Sequence, residues 1–197
     1  MNKHYKSVFE NEQELLQALI DIHLGGNDIE LDPMFFKGNF YKNGINKPIY
    51  ISDKNPQTKD IVKMDFEHST YLAESYENLI LDPPFMISNR SSQKNYYSSK
   101  THTFYESLDQ LKKSYFNLIN EAYRILKKKG VLIFKCQDFT DSKTVFTHTI
   151  VQDIAERLGF YSKDIAILVK PNKIYNGNLK QRHLRKIHTY FWVFIKK

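Results

Sequence analysis

The sequence predicts an α/β protein built on a doubly wound, mostly parallel sheet. Three observations predict it. Short apolar runs alternate with amphipathic stretches along the chain. Four of the runs end in an aspartate: residues 28–32, 49–53, 61–65 and 79–82. A fifth, Val131-Leu132-Ile133-Phe134, is continuously apolar, as suits a parallel strand buried on both faces.

The elements follow in order. Ser7-Val8-Phe9-Glu10 has capping-box spacing, and Leu15, Leu16, Leu19, Ile20 and His23 recur at helical intervals until Gly25-Gly26 stops the helix. The four aspartate-ending strands come next. Residues 86–106, rich in Ser, Asn, Lys and Tyr, read as a long mobile substrate loop. Leu108, Leu111, Tyr115, Leu118, Ile119, Ala122 and Leu126 mark a second amphipathic helix, with Lys127-Lys128-Lys129-Gly130 as its expected last turn and cap. A third helix is expected over residues 145–158, closed by Gly159. Strands over residues 165–169 and 190–195 enclose a basic loop, residues 170–189, with no clear crossover helix. They therefore pair as an antiparallel hairpin. The expectation is one domain, 1–197, with a helical segment at 1–26 and about seven strands, the C-terminal one antiparallel.

Composition narrows the class. With 197 residues, 41% hydrophobic, the chain can bury a core without staples. The single cysteine, Cys136, allows no internal disulfide, which suits a reducing cytoplasm. No uncharged apolar run approaches the length that spans a bilayer, so no membrane partner is expected. No Cys or His pair has metal-ligand spacing, so no metal is expected. The formal charge of +7 favours a polyanionic partner, because Lys180, Arg182, His183, Arg185, Lys186 and His188 cluster in one stretch.

Ligands of such sheets bind beyond the carboxyl ends of the strands, where the four aspartates gather. Asp32-Pro33 opens a turn toward Gly38, which can bring backbone close to a ligand. Asp53 lies at the spacing of a carboxylate that accepts from ribose hydroxyls. Asp65 occupies the same station one strand later, or Asp60 does if that strand ends sooner. Asp82-Pro83-Pro84-Phe85 is the most telling segment. Two prolines stiffen the turn after a buried strand, so that Asp82 and its neighbouring carbonyls can hold an amino group by its N–H bonds. Phe85 offers a face on which a base can stack.

These segments resemble class I methyltransferases that depend on S-adenosylmethionine, in particular the DNA and RNA amino-methyltransferases with a (D/N)PP(Y/F/W) motif. The resemblance covers nearly the whole chain and implies a Rossmann-like fold with S-adenosyl-L-methionine as cofactor. It implies that Asp32, Pro33 and Gly38 hold the methionine part, Asp53 the ribose and Asp65 the adenine. Asp82, Pro83, Pro84 and Phe85 match the catalytic motif. The usual Gly-x-Gly is absent from the first loop, where residues 36–41 would substitute packing for glycine. Phe134-Lys135-Cys136-Gln137-Asp138 and residues 188–194 also resemble small DNA-methylase-like proteins of bacteria and mobile elements.

Substrate contacts are expected from Arg90, Tyr96 and Tyr97 in the long loop, with Lys94, Lys100 and His102 interleaved. Lys135 and Gln137 at the end of the fifth strand, and Arg182 and Arg185 in the basic loop, complete the set. The expected reaction is methyl transfer to an exocyclic amino group of a nucleobase, adenine in DNA first. Alternatives are the same chemistry on ribosomal RNA or a protein lysine, or a non-catalytic nucleic-acid-binding module. Target selection would come from loops, substrate structure or a specificity partner protein.

Overall fold

The computed structural model describes residues 4–87, 105–140, 143–170 and 182–197. Elements are numbered along these residues. A short strand β1 (Val8–Phe9) precedes helix α1 (Glu12–His23), and strands β2 (Leu31–Asp32), β3 (Tyr50–Asp53) and β4 (Val62–Lys63) follow. A 3-10 turn at Phe66–His68 leads to β5 (Tyr76–Leu81). Then come α2 (Leu108–Ile125), β6 (Leu126–Cys136), a small hairpin of β7 (Phe139–Thr140) and β8 (Thr144–Val145), α3 (Thr147–Arg157), β9 (Phe160–Val169) and β10 (His188–Lys196).

Eight strands form one sheet in the order β1-β9-β10-β6-β5-β2-β3-β4. β2, β3 and β4 step outward one way and β5 and β6 the other, so the chain reverses between β2 and β5. β10 runs antiparallel between β9 and β6, which confirms the expected terminal hairpin. Alternation along the strands builds the three layers. Leu79, Leu81, Leu132, Phe134 and Trp192 pack against Leu111, Tyr115, Leu118 and Ile119 of α2 and Val151 of α3. Ile80, Val131, Ile133, Phe191 and Val193 face Leu15, Leu16 and Leu19 of α1 on the opposite side.

Two local expectations need correction. The helix cap is Asn11, whose Oδ1 accepts from the Gln13 and Glu14 amides, and not Ser7. Val8 and Phe9 instead pair with Ile167 and Leu168, because two apolar residues gain more as an added strand than as a helix start. The lysines before Gly130 are likewise not a helix end. Helix α2 is capped at Leu126, and the backbone enters β6 at once. Lys127 pairs with Glu77 at 2.6 Å, and the register shift opposite residues 76–78 absorbs the extra length. Gly130 is needed there because a Cβ would lie 2.8 Å from the Lys127 carbonyl oxygen.

Strand bounds also differ from expectation. β2 and β4 have two residues each where five were expected, whereas β6 has 11 and β9 has 10.

Candidate active site

The strand order reverses between β2 and β5, and in sheets of this kind the ligand crevice is expected at the carboxyl ends of those strands. Asp32 ends β2 and is 2% exposed. Its Oδ2 accepts from the Tyr41 hydroxyl at 2.8 Å and its Oδ1 from the Met34 amide at 2.9 Å. Burial pushes its carboxyl up to about 7, opposed by those two hydrogen bonds and reinforced by the charges of Asp82 and Asp53.

The first loop is closed by packing. The Phe35 ring stacks on Tyr41 at 5.4 Å, and a Cβ on Gly38 would come within 2.5 Å of that ring. Gly38, with φ of +63°, therefore serves as the floor on which Phe35 lies. Phe36 takes the left-handed conformation, φ 49°, which costs an L-residue about 1–2 kcal/mol. It is held there by its amide, which donates to Asp53 Oδ2 at 2.8 Å. Asp53 also accepts from the Asn55 amide at 2.7 Å, so this carboxylate ties β3 to the loop. A carboxylate has about four acceptor positions, which leaves capacity for a diol.

Asp65 follows β4 and caps the 3-10 turn through the Glu67 amide. Burial works against its charge, but the Lys54 ammonium at 2.7 Å prevails and holds its carboxyl below the usual range. Asp60 precedes β4, pairs with Lys47 at 2.8 Å and stands at the strand's other end, away from the crevice. Asp65 is thus the carboxylate at the carboxyl end.

Asp82-Pro83-Pro84-Phe85 leaves β5 as extended chain, with Pro83 buried and the other three half-buried. The Tyr115 hydroxyl, from α2, donates to the Pro84 carbonyl at 3.0 Å and anchors the turn from beneath. Asp82 Oδ2 accepts from Lys135 Nζ at 3.0 Å. Strand register explains the meeting: Leu81 lies opposite Phe134, so the next residues are neighbours. Met86 and Ile87 are bridged to Tyr105, so the ends of the segment after the motif are drawn together.

Other expected contacts fall elsewhere. Arg90, Lys94, Tyr96, Tyr97, Lys100 and His102 lie outside the described residues, as does Lys180. Arg182 and Arg185 are exposed on the segment entering β10, on the same edge of the sheet as the crevice. The Gln137 side chain donates to the Lys186 carbonyl at 3.0 Å and braces that segment. Asp138, buried, accepts from His148 Nδ1 at 2.8 Å, while His188 Nε2 meets the Tyr190 hydroxyl at 2.8 Å. Asp138, His148 and Tyr190 fasten α3 to the head of β10.

The sequence reading missed Tyr41, Tyr115 and Glu12. Tyr41 and Tyr115 lie within stretches that read as packing, and Glu12 enters the first turn of α1 only because the cap is Asn11. No spacing signal marks any of the three.

Comparison with known proteins places the fold. A family model described as DNA methylase matches residues 77–197. A 1,6-didemethyltoxoflavin-N1-methyltransferase of Burkholderia thailandensis, solved with its substrate and S-adenosylhomocysteine, superposes with a TM-score of 0.59 at 12% identity, over 95% of this chain and 79% of that one. An S-adenosylmethionine-dependent methyltransferase from Archaeoglobus fulgidus gives 0.51 at 17% identity, over 95% and 96%. A Thermus thermophilus protein described as a DNA modification methylase, complexed with S-adenosylmethionine, gives 0.43 at 17% identity over 64% of this chain. The chain spans 50% of that protein's length. None of the curated proteins matches in sequence.

Proposed function

Because this chain belongs to the DNA methylase family, we propose that it moves a methyl group from S-adenosylmethionine to an exocyclic amino nitrogen of a DNA base, adenine in the first place. The observation that carries the reading is the pairing across the crevice. The dehydrated acidic seat at Asp32 lies on one side, and the Asp-Pro-Pro-Phe turn with an ion-paired Asp82 lies on the other.

The donor set suits the cofactor. Asp32, with Tyr41 and the Met34 amide around it, would hold the cationic methionine part. Asp53 would accept from the ribose diol, and Asp65 stands at the adenine station. When bound, the cofactor supplies an electrophilic methyl group. Asp82 and the carbonyls of the Pro83-Pro84 segment would accept the amino hydrogens and leave the nitrogen lone pair free for attack. As the N–CH3 bond forms the S–CH3 bond breaks, S-adenosylhomocysteine leaves and the surplus amino proton passes to solvent. Tyr115 holds that turn rigid, so the acceptors lose little entropy on engagement. Phe85 gives the base a surface to stack on, worth roughly 1–3 kcal/mol. Arg182 and Arg185, beside the basic loop, supply phosphate contacts that favour DNA without specifying its sequence. No helix among the described residues is long and apolar enough to cross a membrane.

The test is incorporation of labelled methyl from the cofactor into DNA, RNA and protein extract, followed by digestion of the DNA to nucleosides. N6-methyladenine is the expected product. N4-methylcytosine alone would move the assignment to cytosine, and label confined to protein would overturn the DNA reading. Asp82→Ala should lower incorporation by about 10²–10⁴-fold, the usual contribution of a positioned proton-handling group. Calorimetry should show that this variant still binds the cofactor.

A further inference from the structure

Lys135 is the cation most deeply committed to the crevice. It is 8% exposed, and its ammonium lies 3.0 Å from Asp82 Oδ2 and 3.0 Å from Glu12 Oε1. The same ammonium lies over the rings of Phe40, at 4.6 Å, and Phe191, at 5.5 Å. Burial alone would drive a lysine toward its neutral form, yet Asp82 and Glu12 together hold it above its usual range. A lysine so enclosed does not reach a phosphate. Glu12 sits in the first turn of α1, where the helix dipole favours a carboxylate, and it comes within 3.8 Å of Lys170 at the foot of the basic loop. Three elements thus converge on one ion pair: β6, α1 and the turn after β5.

Resting on the reading of Asp82 given above, we propose that Lys135 and Glu12 are positioning residues for Asp82. The ammonium fixes Oδ2, so that Oδ1 is the oxygen offered to an amino hydrogen. Glu12 holds the ammonium in place and compensates its second face. Breaking one member of such a buried set leaves an uncompensated charge, so the three behave as a unit.

The groups that face Asp82 are Lys135 and Cys136 of β6, Asp32 at the end of β2, Tyr41 of the first loop, and Tyr115 of α2. Burial pushes Tyr41, Tyr115 and Cys136 well up, so they stay neutral through an ordinary assay range.

The experiment compares Lys135→Met, Lys135→Arg, Glu12→Gln and the double variant Glu12→Gln with Lys135→Met. Lys135→Met should lower kcat roughly 10–100-fold, the usual effect of losing a residue that orients a reacting group. Its KM for DNA should stay within about threefold, as expected when ground-state binding is untouched. Lys135→Arg should recover much of the loss. Glu12→Gln should lose less than Lys135→Met, and the double variant should be no worse than Lys135→Met alone. Lys135→Arg and Glu12→Gln keep the test decisive if Lys135→Met does not fold.

A second readout is independent of turnover: the ¹³C chemical shift of the Asp82 carboxylate at one fixed pH in each variant. An unmoved signal, or a raised KM for DNA with kcat intact, would overturn the positioning role and make Lys135 a substrate contact. If wild-type protein methylates nothing while the signal still moves, the ion pair stands and the functional reading falls.

Discussion

The two halves of the sheet are held by different forces. On one side, β6, β9 and β10 run for 9–11 residues and β10 pairs with both neighbours along most of its length. Backbone ladders and fully buried Phe134, Phe191 and Phe194 fix this platform. On the other side, β2 and β4 have two residues each, and side chains do what ladders do elsewhere. Asp53 ties the first loop to β3, Asp32 gathers Met34 and Tyr41, and Asn78 binds both the Glu30 amide and the Asp28 carbonyl. A backbone ladder is indifferent to pH over the physiological range, whereas carboxylates are not. The platform should therefore respond to volume and the crevice side to charge.

The largest effect is expected from the platform. Phe134→Ala empties a fully buried site between α2 and the sheet and should destabilise the protein by about 3–5 kcal/mol, measured by urea unfolding. Its loss should be the same at pH 5 and pH 8. Similar slopes with pH in this variant and in Asp32→Asn would erase the distinction between the halves.

Asp32 comes next. Its folded pKa of about 7 lies above the unfolded value of 3.8, so the folded chain retains a proton that the unfolded chain has lost. Stability should then fall as pH rises from about 4 through about 7, by a few kcal/mol in total, because each tenfold gain in proton affinity on folding is worth about 1.4 kcal/mol. Asp32→Asn should flatten that slope in unfolding curves. A cationic ligand favours the ionised carboxylate, so cofactor binding to wild type below pH 7 should release a proton. Calorimetry in two buffers of different ionisation enthalpy measures this, and Asp32→Asn should abolish the release while weakening affinity by roughly tenfold or more, the scale of one charge-assisted contact.

Gly38→Ala is the subtler probe of the crevice side. The added Cβ meets the Phe35 ring and the left-handed backbone, so a loss of about 1–3 kcal/mol is expected. Fluorescence-monitored unfolding gives the stability, and cofactor titration shows whether the first loop shifts with it. An unchanged stability would mean that Phe35 does not depend on that floor.

Much of the platform is legible in the sequence. Residues 131–134, 165–169 and 190–195 are apolar for long enough that only buried strands fit them, and the missing crossover forces the antiparallel hairpin. Helix α2 declares itself through Leu108, Leu111, Tyr115, Leu118, Ile119 and Ala122 on one face. The crevice side is less legible. Its strands are so short that pairing partners, and not composition, decide where they begin. The lysines before Gly130 illustrate the same limit: they carry a helix-end signature, yet they fall in the register shift between the Tyr76–Leu126 and Asn78–Val131 pairs of β5 and β6.

The sequence by itself determined the alternation of strands and helices, the row of strand-end aspartates and the stiff Asp-Pro-Pro-Phe turn. Each is written in local order, as a periodicity or as residues with few conformations open to them. Tertiary structure alone decided what those carboxylates meet. Asp32 became a dehydrated acid and Asp65 a capping group. Asp82 became half of an ion pair with a lysine 53 positions away. Burial and charge pairing arise between elements distant in the chain, so their outcome depends on register and packing that no local pattern records.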